Sequence, residues 1–245
     1  MVLYRYTKDK PKKNKKPIIS FISYFLLTVG AIFLFWSFYP VIAFTIYAQV
    51  FINNKIMSPI PSTEIASSIK EARTVLGDYS ALSTNLSDYT KAGVWFPSKP
   101  QESTVHIELK EYVLSIPKLN IKDAQVVVGG EDLVKSLIHY LPQSYPGEYG
   151  NIAIFGHSTL PQLYNPSNYK TIFTYLPSLV KGDSIYLTVK NIQYEYKVYD
   201  MFVVKPSDIS VLDQSNDDVY LTLITCVPPG TYWNRLVVRA KLNTL

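Results

Sequence analysis

From Ile18 to Tyr39 the chain carries no charged residue, and apolar positions continue past Pro40 to Ile52. A helix needs about 20 residues to cross a bilayer. The apolar core of a cleaved signal peptide is shorter, roughly 7–15 residues. The run therefore predicts one uncleaved membrane-spanning helix over 17–50. The character then changes. Residues 53–61 read as a short linker, and 62–91 are rich in Ser, Thr and Ala. Ile65, Ile69, Ala72 and Leu76 recur at helical spacing, with Ser68 and Glu71 placed as a capping box, so a helix is expected near 63–77. Pro97 and Pro100 mark 93–104 as a second linker.

From about residue 108 short β-branched runs alternate with Gly, Pro, Asn and Asp. Strands are predicted at Tyr112–Ile116, Ala124–Val128, Asn151–Phe155, Ser184–Val189, Tyr194–Val204, Val219–Thr225 and Arg235–Leu242. Helical patches are expected only at about 131–138 and 171–176. The fold class is all-β with short helices, a sandwich or a barrel, preceded by one N-terminal transmembrane helix. The expected organisation is a tail (1–16), an anchor (17–50), a linker or stalk with a helix (51–107) and a body (108–245).

Charge orients this plan. The net charge is +5, but seven basic residues and Asp9 alone among the acids fall within 1–16. The body is close to neutral and lacks the basic excess of a nucleic-acid binder. A basic tail beside a membrane helix stays cytoplasmic, which places everything after about residue 50 outside. Asn85-Leu86-Ser87 fits a glycosylation acceptor, a pattern common by chance.

Outside the cell the cysteine count becomes informative, because exported domains use paired cysteines as staples. Cys226 is the only cysteine. It is an intermolecular link, a reactive group, or a small apolar residue that merely packs. The run Leu221–Thr225 delivers it to a turn marked by Pro228, Pro229 and Gly230. Arg235 opens the next apolar run, and if the two runs pair as strands the two side chains approach each other. Arg239, four residues on, faces the same side as Arg235 and is its rival. Thr225 points away from Cys226 and acts as support.

Of the three histidines, His157 ends the strand Ile152–Phe155 after Gly156, where glycine permits close backbone approach. His139 ends a helical patch and reads as structural. His106 lies in the linker region and reads as solvated. A thiolate attacks carbonyls, an imidazole protonates a leaving amine, and a guanidinium stabilises an oxyanion. Cys226, His157 and Arg235 thus form a coherent chemical set. One cysteine and scattered histidines give no metal-ligand spacing, and no Gly-rich phosphate loop is present, so no metal and no cofactor are expected.

Thr222-Leu223-Ile224-Thr225-Cys226 resembles the TLxTC motif of sortases, with the family's arginine on the next strand. Ile116-Pro117-Lys118-Leu119-Asn120-Ile121 is similar to the opening of the sortase domain. His139-Tyr140 with Pro146–Asn151, Ile154–Ser158, and Val204–Asp208 with Val211-Leu212 resemble its central, histidine and pre-catalytic segments. The matches keep family order over about 112–242.

The resemblance implies an eight-stranded, partly closed β-barrel and a membrane-anchored cysteine transpeptidase. In that reading Cys226 attacks the Thr–Gly bond of an LPxTG-like sorting signal, His157 is the general acid and base, and Arg235 stabilises the oxyanion. The implied partners are surface proteins bearing a C-terminal sorting signal and an amine acceptor, a cell-wall peptide or a protein lysine. The Asp-Pro-aromatic lid motif of pilus-assembling sortases is absent, as is a C-terminal membrane segment. Both departures point to a housekeeping-like, single-anchor class. An exported peptidase that only hydrolyses, and a tethered peptide-binding barrel with an inert cysteine, stay open beside the transpeptidase.

Overall fold

The computed structural model describes residues 16–52, 90–96, 109–215 and 217–243. The basic tail up to residue 15, the helix expected near 63–77, Asn85 and His106 lie outside the described residues.

Helix α1 (Lys16–Phe51) is continuous through Pro40. From Phe21 to Tyr39 its large apolar side chains are exposed on every face, the composition of a helix solvated by lipid, while Phe44, Tyr47 and Ala48 pack partly against the body. Its 36 residues extend about 54 Å at 1.5 Å per residue, against a hydrocarbon thickness of about 30 Å. The helix is long enough to cross a membrane and still project beyond it. At its far end the Tyr47 hydroxyl donates to the Pro177 carbonyl (3.4 Å), and Ile52 is buried against the body.

The body is a barrel of eight strands: β1 (Glu111–Ile116), β2 (Ile121–Val128), β3 (Leu137–Tyr140), β4 (Gly150–Phe155), β5 (Ser184–Val189), β6 (Ile192–Val204), β7 (Val219–Val227) and β8 (Asn234–Leu242). Their order around the barrel is β1-β2-β3-β4-β7-β8-β6-β5. The resemblance implied partial closure. The pairing of Val113–Ser115 with Tyr186–Thr188 joins β1 to β5 and closes the ring. Closure removes exposed strand edges, which are a liability in open sheets.

Alternation along the strands builds two apolar clusters. Leu114, Val126, Ile152, Ile154, Leu187, Leu221, Leu223, Leu236 and Val238 fill the barrel. Tyr140, Ala153, Phe155, Ile224, Cys226 and Val237 lie on the outer face and pack with Trp95, Phe96, Val211 and Leu212. β7 is therefore buried on both sides except at Tyr220.

Two expected helices are not helices. Residues 131–136 form turns, and Leu137-Ile138-His139-Tyr140 is strand β3, paired in parallel with β2 and antiparallel with β4. Tertiary pairing on both edges overrides a local pattern too short to show its own period. Residues 171–176 are turns, followed by a single 3₁₀ turn at Leu176–Ser178.

Candidate active site

β4 and β7 run parallel, with Phe155 beside Ile224. The ladder continues one step past β4, where the Gly156 amide donates to the Ile224 carbonyl (3.1 Å). His157 thus leaves β4 at the level where Cys226 sits on β7. Gly156 is required there. A Cβ at this position would come within 2.5 Å of Phe173 and 2.6 Å of Leu137, far inside normal contact.

β7 and β8 are antiparallel, and Cys226 is the register partner of Arg235. Arg239 pairs instead with Thr222, four register pairs away, and its guanidinium lies over the Phe202 ring (5.4 Å). On the same face of the ladder the pair Ile224–Val237 lies between it and Cys226. Register therefore favours Arg235 over Arg239 as the thiol's neighbour. His139 is remote as well. It points into the barrel between Tyr112 and Tyr145.

Two side-chain hydrogen bonds hold the histidine and cysteine strands together. The Thr225 hydroxyl donates to the Gly156 carbonyl (2.7 Å), and the Ser158 hydroxyl donates to the Cys226 carbonyl (2.5 Å). Each joins a residue next to His157 to Cys226 or its neighbour. The loops beyond also meet, with Leu160 packed under Gly230.

Arg235 is almost wholly buried (1% exposed). Its Nη1 donates to the carbonyls of Tyr232 (3.1 Å) and Asn234 (3.3 Å), and Nη2 donates to the Trp95 carbonyl (3.2 Å). The same guanidinium lies 5.2 Å from the Trp95 ring centroid. The His157 ring also contacts Trp95, centroid to centroid at 5.6 Å, and among the described residues its Nε2 has no hydrogen-bond partner. Cys226 is 2% exposed.

Burial sets the protonation of this closed site. It pushes the Cys226 thiol up to about 11, with Arg235 pulling the other way. It pushes the His157 imidazole down to about 4, with Asp132 opposing and Lys170 assisting. At neutral pH both groups are uncharged here. Among the described residues, no three His, Cys, Asp or Glu side chains gather closely enough to share a metal ion.

The segment preceding the catalytic strand is pinned by one residue. The Asn151 side chain donates to the carbonyls of Val211 and Asp213 (both 3.2 Å), and its Oδ1 accepts from Thr222 (2.6 Å). Its backbone exchanges two hydrogen bonds with the Gln214 amide (2.8 and 2.9 Å). Val211 and Leu212 are thereby held on the outer face beside Ile224.

Three features of this site escaped the sequence reading. Residues 93–96 fall in the expected second linker, yet Trp95 and Phe96 are fully buried over the site. The cluster Val94-Trp95-Phe96 in an otherwise polar stretch was the signal that could have found them. Ser158 and Asn151 fall at the ends of segments that resemble the family's, but their residue types alone assign them no role.

A model of the sortase domain matches residues 114–243, just over half of the chain. Sortase D of Bacillus subtilis is 30% identical over 118 residues, covering 47% of this chain and 54% of that protein. Sortase A of Staphylococcus aureus is 42% identical over 77 residues, 31% of this chain and 34% of that protein. The matched stretches thus span about half of one curated relative and a third of the other. Among solved structures, sortase C1 of Streptococcus agalactiae superposes with a TM-score of 0.50 at 23% identity, over 77% of this chain and 92% of that one, a likeness of fold alone. The barrel order, the pairing of Cys226 with Arg235 beside His157, and the domain match agree, and the chain belongs to the sortase family.

Proposed function

We propose that the chain is a membrane-anchored cysteine transpeptidase acting on an LPxTG-like sorting signal. The observation that supports it best is the register of Cys226 opposite Arg235, with His157 leaving the adjacent strand at the same level. His157 takes the Cys226 thiol proton, and the Sγ thiolate so formed adds to the Thr carbonyl of the Thr–Gly bond. Arg235 donates to the resulting oxyanion through the face it now turns to the Trp95 carbonyl. The tetrahedral intermediate collapses, the C–N bond breaks, and His157 passes its proton to the departing glycine amine. An amine acceptor then adds to the thioester, giving up a proton to His157. A new amide forms and Cys226 is released. The covalent route replaces one difficult step by two easier ones.

In this reading α1 crosses the membrane and the barrel lies on the outer side. The basic tail of residues 1–16 supports that orientation, as does the docking of the helix end at Pro177. Surface proteins bearing the signal are the donors, and a cell-wall peptide or protein lysine is the acceptor.

Intact-mass spectrometry tests the assignment. The full chain in detergent is incubated with LPxTG-type peptides, with and without amine acceptors, beside Cys226→Ala, His157→Ala and Arg235→Ala. A peptide adduct absent from Cys226→Ala and discharged onto an amine supports the transpeptidase. Discharge only to water makes the chain a hydrolase. A folded chain that forms no adduct with any library member overturns both in favour of a binding barrel.

A further inference from the structure

The helix α1 passes from full exposure to contact with the barrel near Pro40. The charge-free run from Ile18 to Tyr39 is about 33 Å of helix at 1.5 Å per residue. That length matches a hydrocarbon layer of about 30 Å. With the basic tail inside, Pro40 falls at the outer edge of the layer. Phe44 follows about 6 Å further out and Tyr47 about 10 Å, through the headgroup region to its outer limit.

At this depth a cleft of about 310 Å³ lies between the helix and the barrel, a volume within the range of small-ligand sites. Pro40, Phe44 and Tyr47 form one wall, and Pro161, Tyr175, Pro177 and Pro229 form the other. No lining residue is charged. The hydroxyls that line it are occupied within the protein. Thr174 donates to the Thr171 carbonyl (2.7 Å), Ser178 to the Tyr175 carbonyl (2.8 Å) and Tyr47 to the Pro177 carbonyl (3.4 Å). A polar ligand would give up water here with little hydrogen bonding in return. A hydrocarbon chain would not.

The surface around the cleft has the same character. The barrel domain exposes eight large apolar side chains among the described residues. Leu163, Tyr175, Val180, Tyr232 and Trp233 are five of them, and all stand on the two loops that supply the barrel wall of the cleft. Residues 156–182 include Lys170 and Lys181 and no acidic residue. Aromatic and apolar groups edged by lysine suit a membrane interface.

We propose that this cleft seats an acyl chain of an outer-leaflet membrane lipid, with the loops around it resting on the headgroups. The proposal rests on the reading of α1 as a membrane-spanning helix with the barrel outside. The cleft is continuous with the lipid-solvated face of α1, which names its occupant. Pro161 lies four residues past His157, and Pro229 three past Cys226. Leu160 and Gly230 join the same two loops. The seated chain therefore touches both loops that leave the reactive pair, and holds that end of the barrel at the membrane surface.

Photolabelling tests the site. The full chain is placed in nanodiscs of phosphatidylcholine and phosphatidylglycerol, with a trace of phosphatidylcholine carrying a diazirine in one acyl chain. After irradiation, labelled positions are mapped by peptide mass spectrometry. Label is expected on residues 21–39 of α1 and, separately, on residues 174–178 of the barrel. Ser178→Trp fills the cleft. It is expected to cut the barrel label by about fivefold or more, with the α1 label and the circular dichroism spectrum unchanged. Ser178→Ala leaves the cleft open and should keep the wild-type pattern. Phe44→Trp narrows the cleft from the helix side, and decides if Ser178→Trp loses its fold. Label confined to α1 overturns the cleft and keeps the spanning helix. Equal barrel label in wild type and the filled variants means contact with the leaflet without a seated chain, and also overturns it. Barrel label without label on 21–39 keeps the lipid site and overturns the spanning helix.

Discussion

The Ser158 hydroxyl donates to the carbonyl of Cys226 at 2.5 Å. With the Thr225 hydroxyl on the Gly156 carbonyl at 2.7 Å, it brackets His157 between two ties to the cysteine strand. Neither hydroxyl is placed to react. Both fix the distance between thiol and imidazole, and displacements of about 1 Å between reacting groups can cost about 100-fold in rate.

Ser158→Ala and Thr225→Val are therefore expected to lower kcat by about tenfold or more while changing KM little. Thr225→Val also leaves a buried carbonyl unpaired, which costs about 1–3 kcal/mol of stability. Thr225→Ser and Ser158→Thr, which keep the hydroxyls, should recover most of the rate. Steady-state kinetics beside thermal unfolding checks this. A loss that tracks stability alone, with no rescue by the hydroxyl-bearing variants, would show that the ties are only structural.

Arg235 and Arg239 give a paired prediction. Both face outward on β8, but only Arg235 is opposite Cys226, and Arg239 is opposite Thr222. Removing a donor to a developing oxyanion costs about 100- to 1000-fold in kcat. Arg235→Ala should fall in that range, and Arg235→Lys should recover little, because an ammonium lacks the planar fork. Arg239→Ala should stay within a few-fold of wild type. Adduct formation followed by mass spectrometry separates the two, and equal losses would sink the assignment.

How much of this was legible before the structure depended on range. Cys226, His157 and Arg235 were named from local motifs, because strand ends and turns announce themselves in a few residues. Arg235 is preferred to Arg239 in the sequence for its nearness to the turn after Cys226 and its match to the family's position; both keep the same parity along β8, and the register with β7 sets Arg235 opposite Cys226. The patch at about 131–138 reads as helical because so short a stretch cannot show a period, and strand Leu137–Tyr140 goes unread because its pairing partners, β2 and β4, come from both sides of it in the chain. Trp95 was passed over because Pro97 and Pro100 signal a linker. Its cover over Phe155, some 60 residues away, is purely tertiary.

His139 carries the pH dependence of stability. It is fully buried between Tyr112 and Tyr145 (5.9 and 6.3 Å), and neither ring nitrogen has a hydrogen-bond partner. Burial pushes its imidazole down to about 3, against an ordinary value near 6.5. Below about pH 6.5 the unfolded chain takes up a proton that the folded chain refuses until about pH 3. Acid therefore destabilises the fold across that window, by up to about 1.4 kcal/mol per pH unit for this one group. His157, pushed down to about 4, acts in the same direction. His139→Phe should gain about 2–3 kcal/mol relative to wild type on going from pH 7 to pH 4.5. Denaturant unfolding of the full chain in mild detergent at the two pH values measures the difference. A gap independent of pH would mean that His139 is not buried neutral.

Asn151 links the segment around Val211–Asp213 to β7. Its side chain holds Val211 and Asp213 by their carbonyls and Thr222 by its hydroxyl, and its backbone is clasped by Gln214. Val211 and Leu212 pack in the apolar cluster that includes Cys226, so if a peptide binds there as proposed, Asn151 helps to set its position. Asn151→Ala removes the side-chain bonds and leaves Cys226, His157 and Arg235 untouched. KM for a sorting peptide is expected to rise about tenfold, the loss of roughly one buried hydrogen-bonded contact of about 1.4 kcal/mol, while kcat changes by less than threefold. Amide exchange should accelerate at 209–215 and stay constant along β7. An unchanged KM with accelerated exchange would mean that the loop does not touch the peptide. A kcat loss matching that of Thr225→Val would mean instead that Asn151 acts through the alignment of β4 with β7.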